Sequence, residues 1–599
     1  MWRRVIVAVE MKLGSLVLAA ALSIAAGRGE TINGIVVERN VKVTMRDGVV
    51  LRADVFHPEK AGKYPVLLTR TPYNKAGDSD FGFQGALAGY VMVVQDVRGR
   101  YTSEGEWYPF RYESQDGYDT VEWAAALPYA DGKVGMWGGS YVGATQMLTA
   151  IVHPPHLAGI CPVVTASNYH SNWTYQGGAF EQWFNQSWTA GLAQDTLGRM
   201  VQHHTDAMQG ARTLPLANFP LFNMSAAAVW QTPGALAPYF LDWLSHPNYD
   251  DYWKKWSIED HFSDIKVPAL HTAAWYDIFQ GGSLRNYEGI RTHGGSEEAR
   301  RGQHLLVIIG GHAGGGQKIG DVDFGAAAAE FEETQVTLDW YNYLFKGARN
   351  QFSEKPVRIF VMGANQWRNE DAWPPKNAQT TKYYLHSSQG ANSLRGDGRL
   401  TTEAPAAGEA LDHYVYDPAN PVPTIGGPLC CDAEHLPAGP RDQRPAEARD
   451  DVLVYSTEAF AKDVEVTGPV SLTLYAHSSA VDTDFTAKLV DVWPNGFAQN
   501  LTEGILRARY RNSQATPELL NPGETYKLTI DAWSTSNVFR AGHKLRIEVS
   551  SSNFPRFDRN LNTGRLASTD DTWVKATNTI IHDAEHPSVL EVPVVKRGQ

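Results

Sequence analysis

Residues 133–143 read KVGMWGGSYVG, and the parsing of this stretch decides the fold. An apolar run, residues 134–137, passes through Gly138 and Gly139 into Ser140 and then into a helix-compatible segment, residues 141–151. A strand, a sharp turn carrying serine and a helix make a nucleophile elbow. The two glycines keep bulk away from the turn, so the hydroxyl stands above the carboxyl edge of a sheet. The helix that follows offers its N-terminus and the Tyr141 N–H to a developing oxyanion. The second glycine, Gly143, lies one place later than in G-x-S-x-G. A Gly-Gly-Ser turn taken alone is more often a plain loop; its place after a strand in an alternating αβ series makes Ser140 a nucleophile candidate.

That series is visible on both sides of the elbow. Short apolar, mostly β-branched runs at residues 66–69, 91–95, 134–137, 160–164, 269–273 and 305–309 alternate with helical patterns such as DTVEWAAAL at 119–127. This order predicts a parallel sheet wrapped by helices. Ahead of it, residues 41–56 alternate around Asp47-Gly48, which predicts an antiparallel hairpin at the sheet edge. From 168 to 263 the strand signal lapses into a stretch dense in Trp, Tyr and Phe, read as an inserted helical cap. The expected hydrolase core is therefore split into residues 34–167 and 264–352. Beyond it, residues 353–599 change to short alternating strands parted by Gly, Pro and Asn, which predicts an all-β sandwich. Pro418, Pro421, Pro423 and Pro428 mark a connector without regular structure.

Composition sets the bounds. With 599 residues, 43% of them hydrophobic, the chain can bury a large core. A net charge of -13 without clustered Lys and Arg argues against nucleic acid as a partner. Residues 1–27 carry Arg3, Arg4 and Lys12, an apolar segment and then small residues, the pattern of a secretory signal peptide, with Met1 or Met11 as the start. The apolar segment is shorter than the roughly 20 residues of a spanning helix, so the exported product is expected to leave the membrane. Of the three cysteines, Cys161 sits in an apolar run and reads as packing, while Cys430 and Cys431 are left open between a bridge and two thiols. The sequence near the cysteines shows no metal-ligand spacing, so neither metal nor cofactor is expected.

A serine at its ordinary pKa needs a base held by a carboxylate. In a hydrolase of this type the order along the chain is serine, acid, histidine, each after a strand. Asp277 follows residues 269–273 and fits the acid; His312 follows residues 305–309 and Gly310-Gly311 and fits the base.

The longer motifs carry a resemblance. GGSYVG at 138–143, QDVRGR at 95–100 with SEGE at 103–106, DGYDTVEW at 116–123, WYD at 275–277, FVMGANQW at 360–367, YDPANPVPTIGG at 416–427 and SNFPR at 552–556 resemble the family of cocaine esterase, glutaryl-cephalosporin acylase, α-amino acid ester hydrolase and X-prolyl dipeptidyl peptidase. The likeness runs from about Gly34 onward. It implies an α/β-hydrolase domain, the helical cap and a C-terminal jelly roll. It also implies that Tyr73, in RTPY at 70–73, donates its phenol to the oxyanion beside the Tyr141 amide, and that Phe279 lines the acyl pocket. Trp173 and Phe180 of the cap are expected to join it around an apolar or aromatic acyl group.

One departure concerns the base. The family pattern Gly-Pro-Trp-x-His is replaced by GGHAGGG at 310–316; without a gap the histidine position falls on Gly314, and with a two-residue deletion on His312. A shortened loop costs little while a missing base costs most of the rate, which selects His312. The expectation is an exported carboxylesterase or acylase acting on a small ester or amide. The alternatives are an X-prolyl dipeptidyl peptidase and a catalytically silent protein that binds ligand through its jelly roll. Self-association into a homo-oligomer is left open.

Overall fold

The computed structural model describes residues 29–200 and 237–596. The signal-peptide reading of residues 1–27 and the cap segment 201–236 lie outside the described residues.

The sequence alternation builds one large sheet. The strands Val91–Asp96, Tyr64–Thr71, Ala130–Gly139, Leu157–Val163, Ala269–Tyr276, Gln303–Gly311 and Val357–Val361 lie side by side in that order, all parallel. Their near-continuous apolar character follows from burial on both faces: the helices Glu113–Ala125 and Tyr141–Ala150 cover the sheet, as does Glu333–Lys346. The hairpin of Ile35–Thr44 and Val50–Pro58 joins the end of this series antiparallel, its turn made by Gly48 at φ 87°.

The expected cut at 352/353 falls too early. Val357–Val361 pairs parallel with Gln303–Gly311, and Gln366–Glu370 adds an antiparallel edge, so both strands belong to the hydrolase sheet. The segment VRIFV is short, and the alternation that begins beyond it masked it as the first strand of the sandwich.

The described part of the cap holds the helices Gln182–Met200, Pro238–Ser245 and Asp251–Lys254, and a small hairpin, Tyr175–Gln176 with Ala179–Phe180. The C-terminal jelly roll is built from strands that include Val464–Ser478, Asp484–Val492, Tyr526–Phe539 and Lys544–Ser550. Its core runs into the back of the hydrolase sheet: Leu472, Ile530 and Ile547 share one apolar cluster with Trp275 and Tyr276. Polar bonds fasten the same joint. Tyr276 donates to the Asn500 carbonyl at 2.9 Å, and the Gln280 amide donates to the Ser534 carbonyl at 2.6 Å. Between Tyr416 and Arg444 the connector has no helix or strand beyond isolated bridges such as Gly427–Gly439, and it passes over the hydrolase domain.

Candidate active site

The elbow is held by backbone geometry that few residues tolerate. Ser140 sits at φ 60°, ψ -127°, a strained conformation for a residue with a Cβ. The turn is pinned from three sides: the Ser140 N–H donates to the Val163 carbonyl at 2.9 Å, the Thr165 hydroxyl donates to the Ser140 carbonyl at 2.9 Å, and the buried Gln146 amide donates to the Gly138 carbonyl at 2.8 Å. Gly138 has φ 122°, and a Cβ there would stand 2.4 Å from Val142 Cγ1. The displaced glycine also has a packing cause, because a Cβ on Gly143 would lie 2.8 Å from Thr165 Cβ. The helix therefore packs at Gly143 on the segment just beyond the strand Leu157–Val163, one place later than in the usual pattern.

Asp277 follows a register shift in the pairing of Ala269–Tyr276 with Gln303–Gly311, between Ala274 and Tyr276. Such a bulge bends a strand and redirects the next side chain. Its carboxylate is fully buried; one oxygen accepts from the Phe279 N–H at 3.0 Å, which leaves the other for an imidazole.

His312 occupies the tip of a tight hairpin. Gly310 faces Gly315 and Gly311 faces Gly314, leaving His312 and Ala313 as the two loop residues. This is the shortened loop that the departure from the family pattern called for. Gly310, at φ 154°, cannot carry a side chain, since its Cβ would lie 2.2 Å from the Gly314 carbonyl oxygen. The hairpin brings His312 Nδ1 to 2.7 Å from Asp277 Oδ1 and Nε2 to 2.8 Å from Ser140 Oγ. With the Nδ1 proton held by the carboxylate, the Nε2 lone pair faces the serine hydroxyl. His304 bonds the Phe352 carbonyl at 3.1 Å and packs on Trp340, apart from this arrangement.

Tyr73 leaves 40% of its surface accessible. Loss of hydration at its hydroxyl raises the phenol above its ordinary value, while hydrogen bonds from Trp188, Ser140 and the Tyr141 amide oppose the rise. The Trp188 indole N–H donates to the Tyr73 hydroxyl at 3.1 Å, turning the phenol proton the other way. Trp188 was legible only as one cap aromatic among many; nothing in the sequence singles it out as the partner of Tyr73. The Tyr141 side chain turns away from the pocket. Its hydroxyl donates to Glu113 at 2.9 Å and accepts from the Phe110 N–H at 2.7 Å, so what Tyr141 offers the site is its amide.

The substrate-side residues divide. Phe279 meets the His312 ring edge-to-face at 5.2 Å, and Trp173 stacks on Phe279 at 4.5 Å, with Phe184 completing the aromatic wall. Phe180 does not join them. Its ring packs against Tyr175 and Phe240, and its N–H donates to Asp558 of the jelly roll at 2.7 Å. The hairpin of the cap points Phe180 to the seam with the sandwich, a direction that aromatic density in sequence cannot encode.

The remaining long motifs serve as supports. Arg98 grips Asp116 with two N–H groups at 2.9 and 2.6 Å, and buried Arg70 donates to Glu113 at 2.8 Å and to Gln95 at 2.8 Å. Arg556 of SNFPR is buried between Glu503, at 2.5 Å, and Glu181 of the cap, at 3.4 Å. The Arg98 and Arg70 pairs tie their segments to the helix Glu113–Ala125, and the Arg556 pairs tie the cap to the jelly roll.

One neighbour was not foreseen. The connector carries Cys430 and Cys431, bridged to each other, alongside His312, and the three side chains place their ligand-type atoms within 4.8 Å of one another. The expectation of no such ligands beside the cysteines rested on spacing along the chain, which says nothing about a loop returning from the sandwich. Cys161 is buried and unbridged, with its thiol pushed up to about 12 by burial.

Fold and site together define a serine hydrolase of the α/β-hydrolase class, with a cap and a C-terminal jelly roll. The chain belongs to the X-Pro dipeptidyl-peptidase (S15) family, whose model matches residues 47–314, while that of the X-Pro dipeptidyl-peptidase C-terminal non-catalytic domain matches residues 350–591. It is 38% identical over 577 residues to cocaine esterase of Rhodococcus sp. (strain MB1 Bresler), covering 94% of this chain and 99% of that protein. Among solved structures, an α-amino acid ester hydrolase superposes with a TM-score of 0.78 at 25% identity, over 98% of this chain and 100% of the other. An aminopeptidase from a Thaumarchaeota archaeon of marine sediment shares the fold, with a TM-score of 0.79 at 24% identity over 96% and 99% of the two chains.

Proposed function

We propose that this chain is an exported carboxylesterase that works through an acyl-enzyme. Ser140 attacks the ester carbonyl while His312 takes its proton. The Tyr73 hydroxyl and the Tyr141 amide hold the oxyanion, and His312 then protonates the leaving alcohol. Asp277 keeps the imidazole in the tautomer that accepts from serine and stabilises the imidazolium that forms. Water, deprotonated by the same imidazole, releases the acid. The observation that carries this reading is the continuous chain from Asp277 Oδ1 to His312 Nδ1 at 2.7 Å and from Nε2 to Ser140 Oγ at 2.8 Å.

Ester rather than peptide cleavage is favoured by the pocket. Phe279 and Trp173 beside the imidazole suit an apolar or aromatic acyl group, and neither Ile278, Phe279 nor Gln280 offers a carboxylate to an amino-terminal ammonium. The relative at 38% identity is named for an ester substrate, which agrees. Export rests on residues 1–27; mass measurement of the chain recovered outside the cytoplasm should give a start near Gly27.

The test is a fluorophosphonate probe followed by a substrate panel. Labelling should disappear in Ser140→Ala, and p-nitrophenyl esters should turn over faster than aryl amides and Ala-Pro anilide. An unlabelled wild type would instead support the silent ligand-binding protein, and dominant cleavage of Ala-Pro anilide the dipeptidyl peptidase.

A further inference from the structure

The bridge beside His312 takes no part in the chemistry proposed above. Cys430 is buried and Cys431 exposed, and the connector that carries them crosses from the jelly roll to the hairpin tip. The two sulfurs and an imidazole nitrogen of His312 all lie within 4.8 Å of one another. Tetrahedral zinc places its thiolates about 2.3 Å from the ion, hence roughly 3.8 Å apart. Sulfurs joined by a bond cannot reach that separation, whereas two free thiols on adjacent residues need only a rotation of their side chains.

The imidazole is already arranged as a metal ligand. Metal-binding histidines usually donate the second ring N–H to a carboxylate, which fixes the ring and raises the basicity of the coordinating nitrogen. His312 has that partner in Asp277, at 2.7 Å from Nδ1, which leaves Nε2 as the donor atom. Ser140 Oγ, 2.8 Å from Nε2, or water would fill the remaining position.

We propose that the dithiol form of Cys430 and Cys431, together with His312, binds a thiophilic divalent cation such as Zn²⁺, and that the disulfide form does not. The site opens when a dithiol reductant gives two electrons and two protons to the S–S bond and itself closes to a disulfide. Both cysteines then bind as thiolates, releasing two protons, while His312 Nε2 gives its lone pair to the metal. That lone pair is the one that would accept the Ser140 proton, so the bound cation stops ester turnover. Oxidation of the pair dismantles the site and returns the imidazole. The inhibitory consequence rests on the role proposed for His312, whereas the binding itself does not.

The full chain, reduced with a dithiol and freed of reductant without air, is titrated with Co²⁺ as a spectroscopic probe. Thiolate-to-cobalt charge-transfer absorption should grow to one equivalent. Under the same conditions saturating Zn²⁺ should lower p-nitrophenyl acetate turnover by about 10⁴-fold or more, the loss expected when the base itself is removed, with recovery on adding EDTA. Unreduced enzyme should show neither effect. The double variant Cys430→Ser, Cys431→Ser should keep its turnover and lose both responses, its activity serving as the check that it has folded. Absence of the cobalt band from reduced wild type, or equal zinc inhibition of the double variant, would overturn the proposal. Lack of turnover by the untreated enzyme would strike the esterase reading while leaving the cobalt measurement intact.

Discussion

The hydrolase domain and the jelly roll each hold a histidine against a buried aspartate with a serine beside them. At the elbow, His312 uses its two nitrogens for different partners, Asp277 at 2.7 Å and Ser140 at 2.8 Å. In the jelly roll, His582 turns a single nitrogen to both Asp412, at 2.9 Å, and Ser387, at 3.3 Å. Ser387 donates instead to Asp412, at 2.8 Å, and that carboxylate also accepts from Tyr455 and the Ala391 N–H. A proton cannot pass from serine through the ring when both partners sit at one nitrogen. Environment separates the groups further: Ser140 is half-buried, while His582, Asp412 and Ser387 are buried within the jelly roll. The same three residue types therefore give a candidate relay in one place and a structural clamp in the other. Wiring and access, more than composition, make the difference.

The sharpest way to break this comparison is to remove each histidine. His312→Ala should lower kcat for p-nitrophenyl acetate by about 10⁴-fold or more. His582→Gln should leave kcat of the folded protein within about twofold, because it lies far from any reacting atom. A comparable loss in both variants would show that the clamp also shapes the active site. Tyr73→Phe comes next: removing one oxyanion donor should cost about 10²-fold in kcat with little change in KM. A KM effect alone would make Tyr73 a substrate contact.

Much of this difference could be read in the sequence, and the reasons are local. The elbow was legible because strand, glycine pair and helix are contiguous. Asp277 and His312 were legible because each follows a strongly apolar run, and strand order fixes which edge they reach. His312 could be preferred to Gly314 from chemistry alone, and the hairpin of Gly310–Gly311 with Gly314–Gly315 supplies the geometry. What escaped depends on contacts between distant segments. The strand Val357–Val361 joins the hydrolase sheet through its pairing with Leu305, Leu306 and Val307, which its own five residues do not announce. Phe180 and Trp188 sit in one aromatic stretch, yet a hairpin sends the first to the sandwich and a helix sends the second to Tyr73. The approach of Cys430 to His312 is made by a connector with no periodicity to read.

The jelly-roll clamp should show its value in stability. Asp412→Asn takes the nearer of two counter-charges from the buried His582, leaving Glu409 at 3.5 Å from Nδ1, and should cost about 3 kcal/mol in urea unfolding. Turnover per folded molecule should stay at the wild-type level, the reverse of Asp277→Asn, which should lose activity while changing stability less. A stability loss of equal size in both variants would remove the distinction between relay and clamp.

The smallest effect concerns pH. Burial opposes the charge on His582, but the Asp412 carboxylate at 2.9 Å from Nε2, with Glu409 at 3.5 Å from Nδ1, outweighs burial and raises the imidazole above its ordinary 6.5. Burial likewise pushes Asp412 up, and His582 and Tyr455 more than offset it, so its carboxyl falls below its ordinary 3.8. A raised histidine stabilises the fold fully below 6.5 and loses that contribution as pH rises through its folded-state value. A lowered aspartate contributes fully above 3.8 and loses it as pH falls through its folded-state value. The pair is therefore worth most between about 4 and 6.5. The difference in urea midpoint between wild type and His582→Gln should be greatest at about pH 5 and shrink on the alkaline side. A difference that stays constant across that range would mean that His582 holds Asp412 as a neutral hydrogen-bond donor, and the clamp would then be a polar contact without an ion pair.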